Sequence, residues 1–73
     1  MKFETLNSVY QVTLLDDGMF RIVKTMELRE SPYNPVGVPR VSLSICLQLG
    51  ERARFDGWST SPVTKIYGWN EEN

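Results

Sequence analysis

Two runs of alternating side chains flank Asp16-Asp17-Gly18, and no other stretch so narrows what the chain can fold into. From Ser8 to Leu15, an extended backbone would put Tyr10, Val12 and Leu14 on one face and Val9, Gln11 and Thr13 on the other. From Met19 to Arg29 the alternation resumes, with Phe20, Ile22, Met26 and Leu28 against Arg21, Thr25, Glu27 and Arg29. A two-residue loop at Asp17-Gly18 would set Leu14 opposite Arg21 and Thr13 opposite Ile22. A three-residue loop pairs Leu14 with Phe20, Val12 with Ile22 and Tyr10 with Lys24. The second register keeps apolar groups together and puts Gly18 where a glycine bulge needs a positive φ. The sequence therefore predicts a hairpin with the loop Asp16-Asp17-Gly18.

The rest of the chain reads as further strands. Pro32, Pro35, Gly37 and Pro39 make Ser31 to Pro39 unsuitable for a helix interior or a central strand. It is expected to be a semi-rigid connection across an end of the sheet, or an arm to another subunit. Arg40 to Leu49 alternates cleanly and predicts a central strand, with Val41, Leu43, Ile45, Leu47 and Leu49 inward. Gly50-Glu51 suggests a turn into Arg52 to Phe55, and Asp56-Gly57 a second turn before Trp58. For the first turn two registers stand: a two-residue loop, or a three-residue loop matching Leu47 to Phe55 and Leu49 to Ala53. Pro62 marks an edge or a bulge in Trp58 to Tyr67, with the strand proper expected from Val63. Residues 68–73 read as a mobile, acidic tail. The expected fold is a single all-β domain over residues 1–73: a small antiparallel meander of about five strands, barrel-like or half-open, with little or no helix.

Composition narrows the chemistry. At 73 residues the core is small, so self-association is expected. The single Cys46 has no internal disulfide partner and reads as a small filler on a strand. Met-Lys-Phe-Glu at the start lacks the basic and apolar run of a secretory signal, so a cytoplasmic, reducing setting is expected. No apolar stretch approaches the roughly 20 residues of a membrane helix, and no membrane partner is expected. With no histidine, the usual serine and cysteine triads and imidazole bases are excluded, and no enzyme activity, cofactor or metal is expected. A net charge of −1 removes the simplest electrostatic case for binding nucleic acid.

Three groups of residues carry binding chemistry. Asp16 and Asp17 are the one adjacent acidic pair outside the tail, and acidic residues suit hairpin loops. Arg40, Arg52, Arg54 and Lys65 interleave with Phe55, Trp58, Tyr67 and Trp69, as phosphate pairing and base stacking require. A solvated strand face with alternating charge gives the same pattern. Short polar groups gather at Asn7 and Ser8 and again at Ser59, Thr60, Ser61 and Thr64. They suit phosphate or ribose recognition, and equally the capping of turns around Pro62.

Two phrases carry a resemblance: Thr5-Leu6-Asn7-Ser8-Val9-Tyr10-Gln11-Val12 and Thr60-Ser61-Pro62-Val63-Thr64-Lys65-Ile66. They resemble a class of small uncharacterised phage and prophage β proteins that open with Thr-Leu-Asn-Ser-x-Tyr and close with Thr-Ser-Pro-Val-x-x-Ile. The resemblance covers the two ends of the chain and points to Asn7, Ser8, Tyr10, Thr60, Ser61 and Pro62. It implies a protein of the host cytoplasm that acts by binding, with counter-defence as one role. The combined expectation is a homo-oligomer that sequesters a nucleotide-like or phosphate-bearing ligand through Arg40, Arg54, Trp58, Thr60, Ser61 and Lys65. Two alternatives stand beside it: an inhibitor or adaptor that binds a host protein through a strand edge, and a single-stranded nucleic-acid module.

Overall fold

The computed structural model describes residues 1–29 and 35–68, and among these seven strands and no helix occur. The strands are β1 (Lys2–Thr5), β2 (Ser8–Leu14), β3 (Phe20–Glu27), β4 (Pro39–Ser42), β5 (Ile45–Cys46), β6 (Arg52–Phe55) and β7 (Trp58–Tyr67). They form one antiparallel sheet in the order β4-β3-β2-β1-β7-β6-β5. β4 and β5 follow each other in the chain, separated by Leu43 and Ser44, yet they hold opposite edges. A sheet whose edges are tied by so short a link has to curl until they approach, and the result is a half-barrel. No helix among the described residues is long and apolar enough to cross a membrane.

The first hairpin has the expected register. Leu14 lies opposite Phe20, Val12 opposite Ile22 and Tyr10 opposite Lys24. The Leu15 N–H donates to Met19 O at 2.8 Å, and Gly18, at φ +83°, donates to Leu15 O at 3.0 Å. Asp17 Oδ1 accepts the Met19 N–H at 3.0 Å, so this carboxylate serves the turn.

Further along, the alternation expected for Met19 to Arg29 is interrupted. A register shift between Val9 and Tyr10 leaves Thr25 as an extra residue in β3, because Lys24 pairs with Tyr10 while Met26 pairs with Val9. The bulge turns Met26 to the exterior, correcting its expected inward position, and brings Glu27 to the face that Lys24 occupies. In a regular strand residues three apart face opposite ways. Here the buried Lys24 ammonium meets Glu27 Oε1 at 2.7 Å.

Three other expectations are corrected. Arg40 to Leu49 is not one central strand but two edge strands, with Ser42 fully buried and Val41, Leu43 and Leu49 exposed. The chain kinks at Leu43–Ser44 to pass from one sheet edge to the other, and beyond the kink Ile45 and Leu47 pack against the core as expected. The β5–β6 register matches neither proposed loop: Ile45 lies opposite Phe55, and the turn closes from Gln48 O to the Glu51 N–H at 3.1 Å. Its tip docks on β7 instead, with Gly50 donating to Val63 O and Val63 donating to Glu51 O. Finally, β7 starts at Trp58 and runs through Pro62 in a central position between β1 and β6. Pro62 fits there because register shifts interrupt both of its ladders nearby. The strand count exceeds five for two reasons. The 40–49 run is split, and Lys2–Thr5, too short for a clear period, forms β1.

Of the Ser31–Pro39 connection, residues 31–34 lie outside the described set. Pro35 to Val38 turns back on β3, where the Gly37 N–H donates to Lys24 O at 2.9 Å. The expected mobile tail lies outside the described residues from position 69 onward. The core comprises Phe3, Tyr10, Val12, Ile22, Ala53, Phe55 and Val63, on the concave side.

Side chains hold the meeting edges together. Asp56, in the β6–β7 turn, accepts the Leu43 N–H at 2.6 Å and the Ser44 hydroxyl at 2.7 Å. Its own N–H donates to Ser42 Oγ at 2.9 Å, and that hydroxyl donates to Ser44 O at 2.6 Å. The Leu43 N–H, followed by the Ser44 hydroxyl, holds the Asp56 carboxyl below its ordinary value of 3.8. A carboxyl depressed by folding stabilises the native state above its unfolded pKa, and that contribution is lost as pH falls through the folded value. We expect Asp56→Asn to be less stable than the parent in urea denaturation at pH 7, with the two converging as pH falls below 3.8 through the depressed folded value. Parallel stability curves across that range would remove Asp56 from the closure.

Candidate ligand-binding site

The two polar clusters at the chain ends meet. β1 and β2 join through Leu6 and Asn7, and Thr5 Oγ1 accepts the N–H groups of Asn7 (3.2 Å) and Ser8 (3.1 Å) while donating to Ser8 O. The Leu6 N–H donates to Pro62 O at 3.2 Å, and Asn7 Nδ2 donates to Ser61 Oγ. Asn7 O accepts the N–H groups of Leu28 and Arg29, tying the end of β3 to the same place. Thr60 Oγ1 accepts the Ala53 N–H at 3.2 Å, where the β6–β7 ladder slips, and donates to Ser61 O at 2.7 Å. Asn7, Ser61 and Thr60 thus spend polar capacity on turns and a bulge.

A second group gathers on the concave side. Tyr10 on β2 stacks on Phe3 of β1 with centroids 4.9 Å apart, and Phe3 lies 6.1 Å from Phe55 of β6. Phe55 in turn stacks on Trp58 at 4.3 Å. The two are opposed across the Asp56–Gly57 loop, where Gly57 has φ +79°. Arg40 of β4 shares a row with Ile22 and Val12, and its guanidinium carbon sits 4.9 Å from the Trp58 centroid. The aromatic chain Tyr10, Phe3, Phe55, Trp58 therefore ends at a planar cation. Arg40 is exposed, Trp58 is half-buried, and among the described residues no carboxylate pairs with Arg40.

Other expected residues lie elsewhere. Arg54 pairs with Cys46 and Ser59 across its neighbouring strands and is exposed between the buried Ala53 and Phe55, so it faces outward. Lys65 also faces outward, opposite Glu4 and 5.1 Å from the Tyr67 ring. Tyr67 donates to Glu4 Oε2 at 2.9 Å and carries Lys2 over the same ring at 4.4 Å. The Tyr67 phenol oxygen, the largest influence, raises the Lys65 pKa above its ordinary 10.5. Ser8 is buried opposite Glu27. The structure joins Arg40, Trp58 and Tyr10 in one place, Asn7, Ser61 and Thr60 in another, and separates Arg54 and Lys65 from both.

Sequence reasoning passed over Lys24, Glu27 and Asp56. Lys24 has a readable signal, since it breaks the apolar alternation opposite Tyr10; the partners of Asp56 lie 12 and 13 residues away and leave none. Among the described residues no three Cys, Asp or Glu side chains gather closely enough to hold a metal ion.

A double-mutant cycle on Asn7→Ala and Ser61→Ala is expected to give a coupling of about 0.5–1.5 kcal/mol in unfolding free energy. Additive losses would show that the hydrogen bond does not hold the two ends together. In comparisons with known families, curated proteins and solved structures, nothing matches this chain.

Proposed function

We propose that the chain is a non-enzymatic binding protein for a small nucleotide-like or phosphate-bearing ligand, received at Arg40 and Trp58. The observation that carries this reading is the exposed guanidinium held over Trp58 without a carboxylate partner among the described residues. A guanidinium fixed on an aromatic face is oriented in advance, and its free N–H edge suits a phosphate or carboxylate. The half-buried indole beside it, stacked on Phe55 and covered by the guanidinium, leaves its edge to the ligand. Sequestration needs no catalytic base, in keeping with a chain that lacks histidine. The counter-defence role implied by the phage resemblance depends on the same ligand.

Calorimetric and thermal-shift titration with linear and cyclic nucleotides tests the reading. Stabilisation of about 2.7 kcal/mol is expected when ligand reaches about 100 times its Kd. Arg40→Gln, which keeps the stem over the indole, is expected to abolish it. A flat response across the panel removes the proposal.

A second reading, association with another copy through the β4 region, is favoured by a specific observation. Val36, Val38, Val41 and Leu43 are all about half exposed or more, along one stretch of chain at a sheet edge. Sedimentation over a range of concentrations is expected to show a dimer that Val41→Lys dissociates. A monomer throughout eliminates this reading.

A further inference from the structure

We infer, resting on the binding reading above, that the site takes a ligand with one anionic group: a nucleoside monophosphate, linear or cyclic, rather than a polyphosphate or a nucleic-acid strand. The distribution of charge around Arg40 leads there. Arg40 lies in the Val12–Ile22–Arg40 row on the concave side, and the next row holds Tyr10 and Lys24. The Lys24 ammonium is buried and engaged by Glu27 at 2.7 Å, so that pair adds no net charge. Arg21 belongs to the row with Thr13 and Val41, whose side chains leave the opposite face. Arg54 is on the outer row with Cys46 and Ser59, and Lys2 and Lys65 surround Tyr67 and Glu4 on the outer face.

On the Trp58 side stands the opposite charge. Asp56 is two residues from the indole, and the Leu43 N–H and Ser44 hydroxyl pin its carboxylate at the sheet junction. A first phosphate meets the guanidinium edge while its base reaches the exposed flank of Trp58. A second or third phosphate meets none of the cations placed above and approaches the Asp56 carboxylate, which the Leu43 N–H and the Ser44 hydroxyl hold beside the turn. A strand of nucleic acid, with a charge at each nucleotide, meets the same obstacle.

The test is calorimetry on the intact chain with the four ribonucleoside monophosphates, their cyclic forms, their triphosphates and a short thymidine oligonucleotide. The triphosphate of the preferred base is expected to bind at least about threefold more weakly than its monophosphate, and the oligonucleotide weakly and with a salt slope of about one charge or less. Arg54→Ala and Lys65→Ala are expected to leave monophosphate affinity within about twofold, since neither faces the site. Triphosphate binding as tight as the monophosphate or tighter, or a loss of about tenfold or more in either variant, would overturn the inference while leaving the binding reading intact. No binding by any of these nucleotides removes both.

Discussion

The Asp56 carboxylate, shared between the Leu43 N–H and the Ser44 hydroxyl, is the contact on which the half-barrel depends. The strand order leaves β4 and β5 at opposite edges, and the chain between them is too short to cross an open sheet. Curling brings those edges together but leaves backbone donors at the kink with no ladder to join. An acceptor with two oxygens answers one of these, the Leu43 N–H, and the neighbouring Ser44 hydroxyl at once. Ser42 completes the arrangement from the buried side by accepting the Asp56 N–H. Placement of Arg40 over Trp58 follows, because Arg40 lies on the strand leading into this junction and Trp58 on the strand leaving it.

The concave side shows a division of labour among its polar groups. Around Thr5, Asn7, Thr60 and Ser61, hydroxyl and amide groups serve backbone donors and one another, and no buried polar side-chain atom among the described residues lacks a partner. That is the behaviour of groups selected for turns and bulges. Arg40 differs because its contact is with a ring face, which leaves the in-plane N–H donors unspent. Identical residue types in sequence thus separate into internal and outward-looking roles only when the geometry is known.

Local rules carried the reading of the sequence far at the first hairpin. Leu14, Phe20 and Gly18 stand where alternation and turn chemistry put them, because each depends on neighbours a few residues away. The same alternation misled at Val41 to Leu49, where the period persists but the chain changes sheet edges halfway. Periodicity reports which residues share a face only along an unbroken strand, and Val41 and Ile45 stand on either side of a kink. The bulge at Thr25, which moved Met26 outward and Glu27 onto the face of Lys24, is likewise decided by the slip against Val9. For the candidate site, Arg40 and Trp58 were legible as residue types; their adjacency was not, since it arises from closure.

The pairing of β1 with β7 joins residues 60 positions apart, Glu4 with Thr64, at the centre of the sheet. During synthesis the first strand leaves the ribosome long before its second neighbour exists, so one of its edges stays open until β7 has emerged. The β2–β3 hairpin can form early from local contacts, whereas the centre of the sheet is assembled last. The fold finishes in its middle, and its nascent form is a sheet with an unpaired heart.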